Sequence, residues 1–229
     1  MSFRTRYQKL VQYLLKWHRD NARTFPWRKT SEPYEILVAE IMLQRTTSRQ
    51  VATIYESFLR KYPSLNRLAQ ASISDITQEL RGLGLEYRAA RLQEIARVIV
   101  GQLDGEVPGD PQELLQLPGV GNYIANAILC FAFGKNVPIV DANIVRIFCR
   151  VFSIKPIREK HKDKRLWQLA KEVIAIVPKN HCRDFNWGLL DLANLICTPK
   201  KPSCPICPLS EVCDYGQTWT RIGAGSEGE

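Results

Sequence analysis

The sequence predicts an all-α protein, and three observations lead there. Apolar residues recur at helical spacing in segment after segment. Few segments alternate polar and apolar residues between turn signals, as half-buried strands do. Pro, Gly and Ser stand between the periodic segments, where helices start and stop. No internal repeat is present.

Taken in order, residues from Tyr7 to about His18 place Leu10, Val11, Leu14 and Leu15 on one face. Pro26 and Trp27 interrupt, and Ser31 and Pro33 open a second helix through Ile36, Leu37, Ile41 and Met42. A third runs from Val51 to Tyr62 and stops at Pro63. Ser72 caps a short helix from Ile73 to Leu80, ended by Gly82 and Gly84. Tyr87 to Leu103 follows, and Pro111 opens another near Leu114 and Leu115. The stretches Ile124 to Phe133, Ala142 to Val151, Leu166 to Ile176 and Asn186 to Ile196 complete the set. The end, from residue 216 to 229, is rich in Gly and Glu after Ile222 and is expected to be a flexible tail.

The chain has 229 residues, enough for one large domain or two small ones. No run of apolar residues is long enough to span a bilayer, and the first residues do not form a secretory signal, so an intracellular, cytoplasmic protein is expected. Lys and Arg outnumber Asp and Glu by 32 to 23, giving a net charge of +9. That excess favours a polyanionic partner, because basic side chains release counterions from phosphates.

Of seven cysteines, Cys130, Cys149 and Cys182 stand apart and read as buried small side chains. The other four, Cys197, Cys204, Cys207 and Cys213, crowd into one stretch as Cys-x6-Cys-x2-Cys-x5-Cys. A tight Cys-x2-Cys turn with one further thiol on each side can wrap a single metal centre. Pro199, Pro202, Pro205 and Pro208 stiffen the loops between them. Four thiolates without a nearby histidine suit either zinc or a [4Fe–4S] cubane, and ligand type alone leaves both open.

The run Leu117-Pro118-Gly119-Val120-Gly121-Asn122-Tyr123 separates two apolar helices. Its glycines permit a tight turn and a close backbone approach, and the start of the following helix presents N–H groups suited to a phosphate. With Ala125 and Ala127 allowing close packing, this is a helix-hairpin-helix pattern, which holds DNA backbone without reading sequence. Asp141, which follows Val137 to Val140 and precedes an apolar helix, reads as an N-cap and as a candidate catalyst. Glu40 sits inside the apolar run Ile36 to Leu43, where desolvation favours the protonated form that a general acid requires. A carboxylate beside an electron-poor sugar carbon and an acid near the leaving group are the elements of glycosidic cleavage. For a nucleotide the base must first leave the stack.

Together these residues resemble the helix-hairpin-helix (HhH-GPD) DNA glycosylase superfamily, in the iron–sulfur branch of endonuclease III and MutY. The resemblance spans about residues 10 to 215. It implies a [4Fe–4S] cluster on the four clustered cysteines, Glu40 as the acid, and Asp141 as the carboxylate that stabilises the oxocarbenium-like state, assisted by Asn143. It implies that Gln44 or Arg45, and Leu85 from the other side, fill the gap left by the flipped base. Gly119, Val120, Gly121 and Asn122 would hold DNA. Backbone carbonyls of Leu115, Leu117 and Val120 would hold a monovalent cation. The implied architecture is a helical domain over 27–139 and a discontinuous cluster domain over 1–26 and 140–215, with double-stranded DNA in the cleft between them. A monomer is expected.

Two departures refine the function. Endonuclease III has a Lys where Tyr123 stands, and no Lys occurs between Gly105 and Gly134, so the resemblance implies a monofunctional glycosylase without strong lyase activity. MutY carries a long lesion-recognition domain for 8-oxoguanine, whereas this sequence ends soon after its last cysteine, so recognition of that lesion is not expected. Tyr123, Arg45-Thr46-Thr47, Val140-Asp141-Ala142-Asn143 and Cys182-Arg183-Asp184-Phe185-Asn186 are most similar to the MIG-type mismatch thymine glycosylases. Removal of thymine or uracil opposite guanine is the implied activity. An adenine glycosylase acting on A:G mispairs, and a non-catalytic DNA-binding module, are the competing readings.

Overall fold

The structure is a computed structural model describing residues 2–84, 87–155, 157 and 163–223, without the side chains of 219–223. Among the described residues every regular element is helical. No described helix is long and apolar enough to cross a membrane. The backbone divides into two compact units, residues 24–135 and residues 1–23 with 136–229.

The unit of residues 24–135 holds α2 (Pro33–Leu43), α3 (Ser48–Lys61), α4 (Leu65–Gln70), α5 (Ile73–Leu80), α6 (Tyr87–Gln102), α7 (Pro111–Gln116) and α8 (Asn122–Phe131). Helix α2 is its axis. Residues Ile36 to Met42 are all buried, so α2 has no solvent face; α3, α6 and α8 pack against it. A helix apolar all round is stable only when covered on every side. Each of its Ile and Leu side chains contributes roughly 1.5–3 kcal/mol by leaving water. Pro33 starts α2, and Thr47 starts α3 through a reciprocal capping box with Gln50.

The other unit holds α1 (Phe3–Asn21), α9 (Ala142–Val151), α10 (Lys164–Ile174), α11 (Cys182–Leu195) and α12 (Asp214–Gly223). Helix α11 packs against α1 and α9, and α12 against α9. Gly188 lets α11 approach α1 closely: a Cβ there would lie 3.2 Å from Cγ of Leu14. Fully buried Asp191 accepts a hydrogen bond from the Arg23 N–H at 3.0 Å, with His18 Nε2 3.5 Å away.

Several boundaries differ from those read in the sequence. Helix α4 was not expected: its six residues are too few to show a period, and Ser64 caps it without the N-terminal proline that marks the equally short α7. Helix α11 begins at Cys182 rather than Asn186, because its first turn carries polar Arg183 and Asp184. Helix α12 occupies residues to 223 of the segment read as a tail from 216. Cys130 and Cys182 are buried as expected, but neither is a free thiol.

Candidate active site and nucleic-acid interface

In the unit containing both chain ends, Asp141 follows the buried Ile139 and Val140 and caps α9. Its Oδ1 accepts from the N–H groups of Asn143 at 2.9 Å and Ile144 at 2.8 Å. Its Oδ2 accepts from the Asn143 side-chain amide at 2.7 Å. Three donors therefore fix the plane of a half-buried carboxylate. The Asn143 carbonyl in turn accepts from Nη1 of Arg146 at 3.1 Å. Arg146 gives Nε to the Cys197 carbonyl at 2.8 Å and Nη2 to the Ala193 carbonyl at 3.0 Å, satisfying groups at the end of α11.

One turn further along α9, Arg150 donates to Sγ of Cys197 at 3.3 Å and to the carbonyls of Thr198 at 2.8 Å and Pro199 at 2.9 Å. Its guanidinium also stacks 4.9 Å from the Tyr215 ring. Cys197, Cys204, Cys207 and Cys213 are unbridged and line one pocket beside Arg150 and Tyr215. The Gly216 N–H donates to Sγ of Cys213 at 3.4 Å. Burial pushes the Cys207 thiol up to about 12, and raises Cys204 and Cys213 as well. Among the described residues no three ligating side chains converge closely enough for a single metal ion.

In the other unit, Glu40 lies in the middle of α2 and is 5% exposed. One turn later, Gln44 ends the helix half-buried, and Arg45 is exposed with a left-handed φ of 55°. The Gln44 carbonyl accepts from Thr46 Oγ1 at 3.3 Å and from Nη2 of Arg88 on α6. Arg88 is fully buried, and its Nε and Nη1 meet no acceptor.

The hairpin lies between α7 and α8. The Val120 N–H closes it onto the Leu117 carbonyl at 3.1 Å, and Gly119 has a φ of 70°. Gly119, Gly121 and Asn122 are exposed, whereas the Val120 side chain is buried, so Val120 can offer a ligand only its backbone. Gly121 starts α8 without any side-chain cap. The Arg91 guanidinium of α6 lies over this turn: a Cβ on Gly119 would be 2.4 Å from its Nη1. Tyr123 is half-buried in the first turn of α8.

The structure thus joins Asp141 to Asn143, gathers the hairpin residues in one turn, and places all four clustered cysteines around one pocket. Glu40 lies one turn before Gln44 and Arg45, which follow the last residue of α2. Leu85 lies outside the described residues. Sequence reasoning missed Arg146, Arg150, Arg88 and Arg91. For the first two a signal existed: Asn143, Arg146 and Arg150 form a polar stripe at helical spacing on an otherwise apolar α9.

Residues 38–172 match the model of the HhH-GPD superfamily base excision DNA repair protein. The chain is 40% identical over 220 residues to the thymine/uracil-DNA glycosylase of Pyrobaculum aerophilum, covering 94% of this chain and 95% of that protein. It is 37% identical over 210 residues to the adenine DNA glycosylase of Homo sapiens, covering 87% of this chain but 38% of that protein. A solved thermostable thymine-DNA glycosylase superposes with a TM-score of 0.87 at 38% identity, covering 95% of this chain and all of that one.

Proposed function

Because the chain belongs to the HhH-GPD superfamily of base excision DNA repair proteins, we propose that it removes thymine or uracil mispaired with guanine by hydrolysing the N-glycosidic bond. The Asp141 carboxylate carries the reading. Three donors hold it in one orientation, so it can face positive charge at C1′ without reorganising as that charge develops. Asn143 assists by holding Oδ2. In this reading Glu40 serves the departing base as proton donor, and water attacks C1′. Tyr123 stands where a lysine would form a covalent adduct, and a phenol cannot form a Schiff base. The product is therefore an abasic site in an uncut strand.

Gly119, Gly121, Asn122 and the backbone of Val120 hold DNA phosphate, and the carbonyls of Leu115, Leu117 and Val120 hold a monovalent cation. Gln44 and Arg45 enter the duplex where the base leaves it. The four cysteines hold a [4Fe–4S] cluster. Their arrangement around one pocket supports a single metal centre held by all four. Backbone and guanidinium donors to Sγ of Cys213 and Cys197 suit thiolate ligands. When bound, the cluster supplies a covalent cross-link for the 197–213 loop. The partner is double-stranded DNA, met by a monomer in the compartment that holds it.

The test is base release from duplexes carrying T:G, U:G or A:G mispairs, read as strand breaks after hot alkali. Release of thymine and uracil opposite guanine, without a borohydride-trapped adduct, is expected. Release of adenine alone would replace this reading with adenine excision. DNA binding without any release would leave a binding module.

A further inference from the structure

Arg88 is the buried group that the proposed chemistry does not use. It lies in the first turn of α6, fully buried, with no carboxylate partner among the described residues. One of its nitrogens, Nη2, donates to the Gln44 carbonyl, while Nε and Nη1 meet no acceptor. Burial pulls its pKa below the ordinary arginine value, opposed in part by the neighbouring Tyr87 hydroxyl. A buried cation with empty donors lowers stability, and an apolar side chain of similar length would serve the core better.

The carbonyl it grips sits at a strained point. The residue after Gln44 is Arg45, whose left-handed φ of 55° is unfavourable for any side chain with a Cβ. Thr46 Oγ1 reaches the same carbonyl at 3.3 Å, so the peptide between Gln44 and Arg45 is held by two donors. Strain of this kind persists only where surrounding contacts over-determine it. Arg88, with a planar fork and a backbone anchored in a helix, is the stiffer of the two restraints.

We propose that Arg88 is a positioning residue that locks the Gln44–Thr46 turn in its strained form, so that Gln44 and Arg45 are presented ready-made to the duplex. This rests on the reading of that turn as the part that enters DNA at the flipped base. It goes beyond that reading by assigning the turn's conformation to a residue that touches no DNA. The arrangement sacrifices folding stability for a rigid wedge.

The test compares wild type with Arg88→Met and Arg88→Lys. Four readouts are melting temperature, affinity for duplex, the fluorescence of 2-aminopurine beside a T:G mispair, and single-turnover base release. Arg88→Met is expected to melt at or above the wild-type temperature and to bind undamaged duplex within about twofold. The fluorescence rise and base release should both fall about tenfold, as the turn relaxes. Arg88→Lys, which keeps one donor for the Gln44 carbonyl, should recover most of both. A lower melting temperature for both variants, with release falling only as the folded fraction falls, would make Arg88 an ordinary core residue. Unchanged flipping and release in Arg88→Met would remove it from the mechanism. Failure of the wild type to release any base would instead overturn the proposed function, and would show it in the control.

Discussion

Asn143 donates its side-chain amide to Oδ2 of Asp141 at 2.7 Å, while its own backbone N–H holds Oδ1 at 2.9 Å. One residue thus grips both oxygens of the carboxylate. Replacing Asp141 with Asn keeps an N-cap of comparable quality but removes the charge. Asp141→Asn is expected to bind DNA as wild type does and to release base at least about a hundredfold more slowly. Single-turnover release and a binding titration on the same duplex decide it; undiminished release would exclude the proposed role.

Arg146 connects that grip to the cysteine loop, since it bonds both the Asn143 carbonyl and the Cys197 backbone. Arg146→Met should leave three carbonyl oxygens short of a donor and destabilise the fold by about 1–3 kcal/mol. Base release should fall beyond what lost stability explains, measured at a temperature where the variant is fully folded.

Gly119 turns the hairpin with a φ of 70°, and Arg91 covers it. Gly119→Ala should cost about 1–2 kcal/mol for the left-handed backbone, and more if Arg91 cannot swing aside. Duplex affinity should weaken at all sequences alike if the hairpin holds phosphate as proposed. A binding series over several unrelated duplexes checks the uniformity.

Most helices were legible because their apolar faces repeat over two or more turns, and short α7 because Pro111 opens it. Helix α4 was not, being shorter than two turns and lacking an opening proline, and α11 lost its first turn to Arg183 and Asp184. The hairpin, Asp141 and the four cysteines were legible because local spacing carries them. Arg88 was not, because its partner carbonyl lies 44 positions away and a pattern along the chain shows no such pairing. Arg146 lies between these cases: its stripe was visible, but its tie to Cys197 is a tertiary fact.

The cysteine loop gives a further expectation. Burial raises three of its thiols, so the metal-free chain holds them protonated at neutral pH and loading must expel those protons. The purified protein should be coloured and contain iron and acid-labile sulfide. Cys207→Ser should lose the visible absorption and lower the melting temperature. A colourless wild type containing zinc would replace the cluster with a single ion.

Asp163 offers a pH test. It caps α10, and the Arg165 side chain holds its carboxyl below the ordinary range, bonding at 3.0 and 2.7 Å. A depressed folded pKa means that this contact stabilises fully above about pH 4 and is lost as pH falls through the lowered value. Asp163→Asn keeps the cap but loses the charged contact, so it should melt below wild type on the neutral plateau, and the two melting-temperature profiles should converge as pH falls through the lowered value.

The packing of α1 against α11 has a consequence for how the molecule is made. A ribosome releases α1 first and its partner, Cys182–Leu195, more than a hundred residues later. The unit of residues 24–135 is complete long before then, whereas α1 waits with its apolar face uncovered. Folding should therefore proceed from the middle of the chain outwards, and the waiting helix is the segment that a chaperone would meet during synthesis.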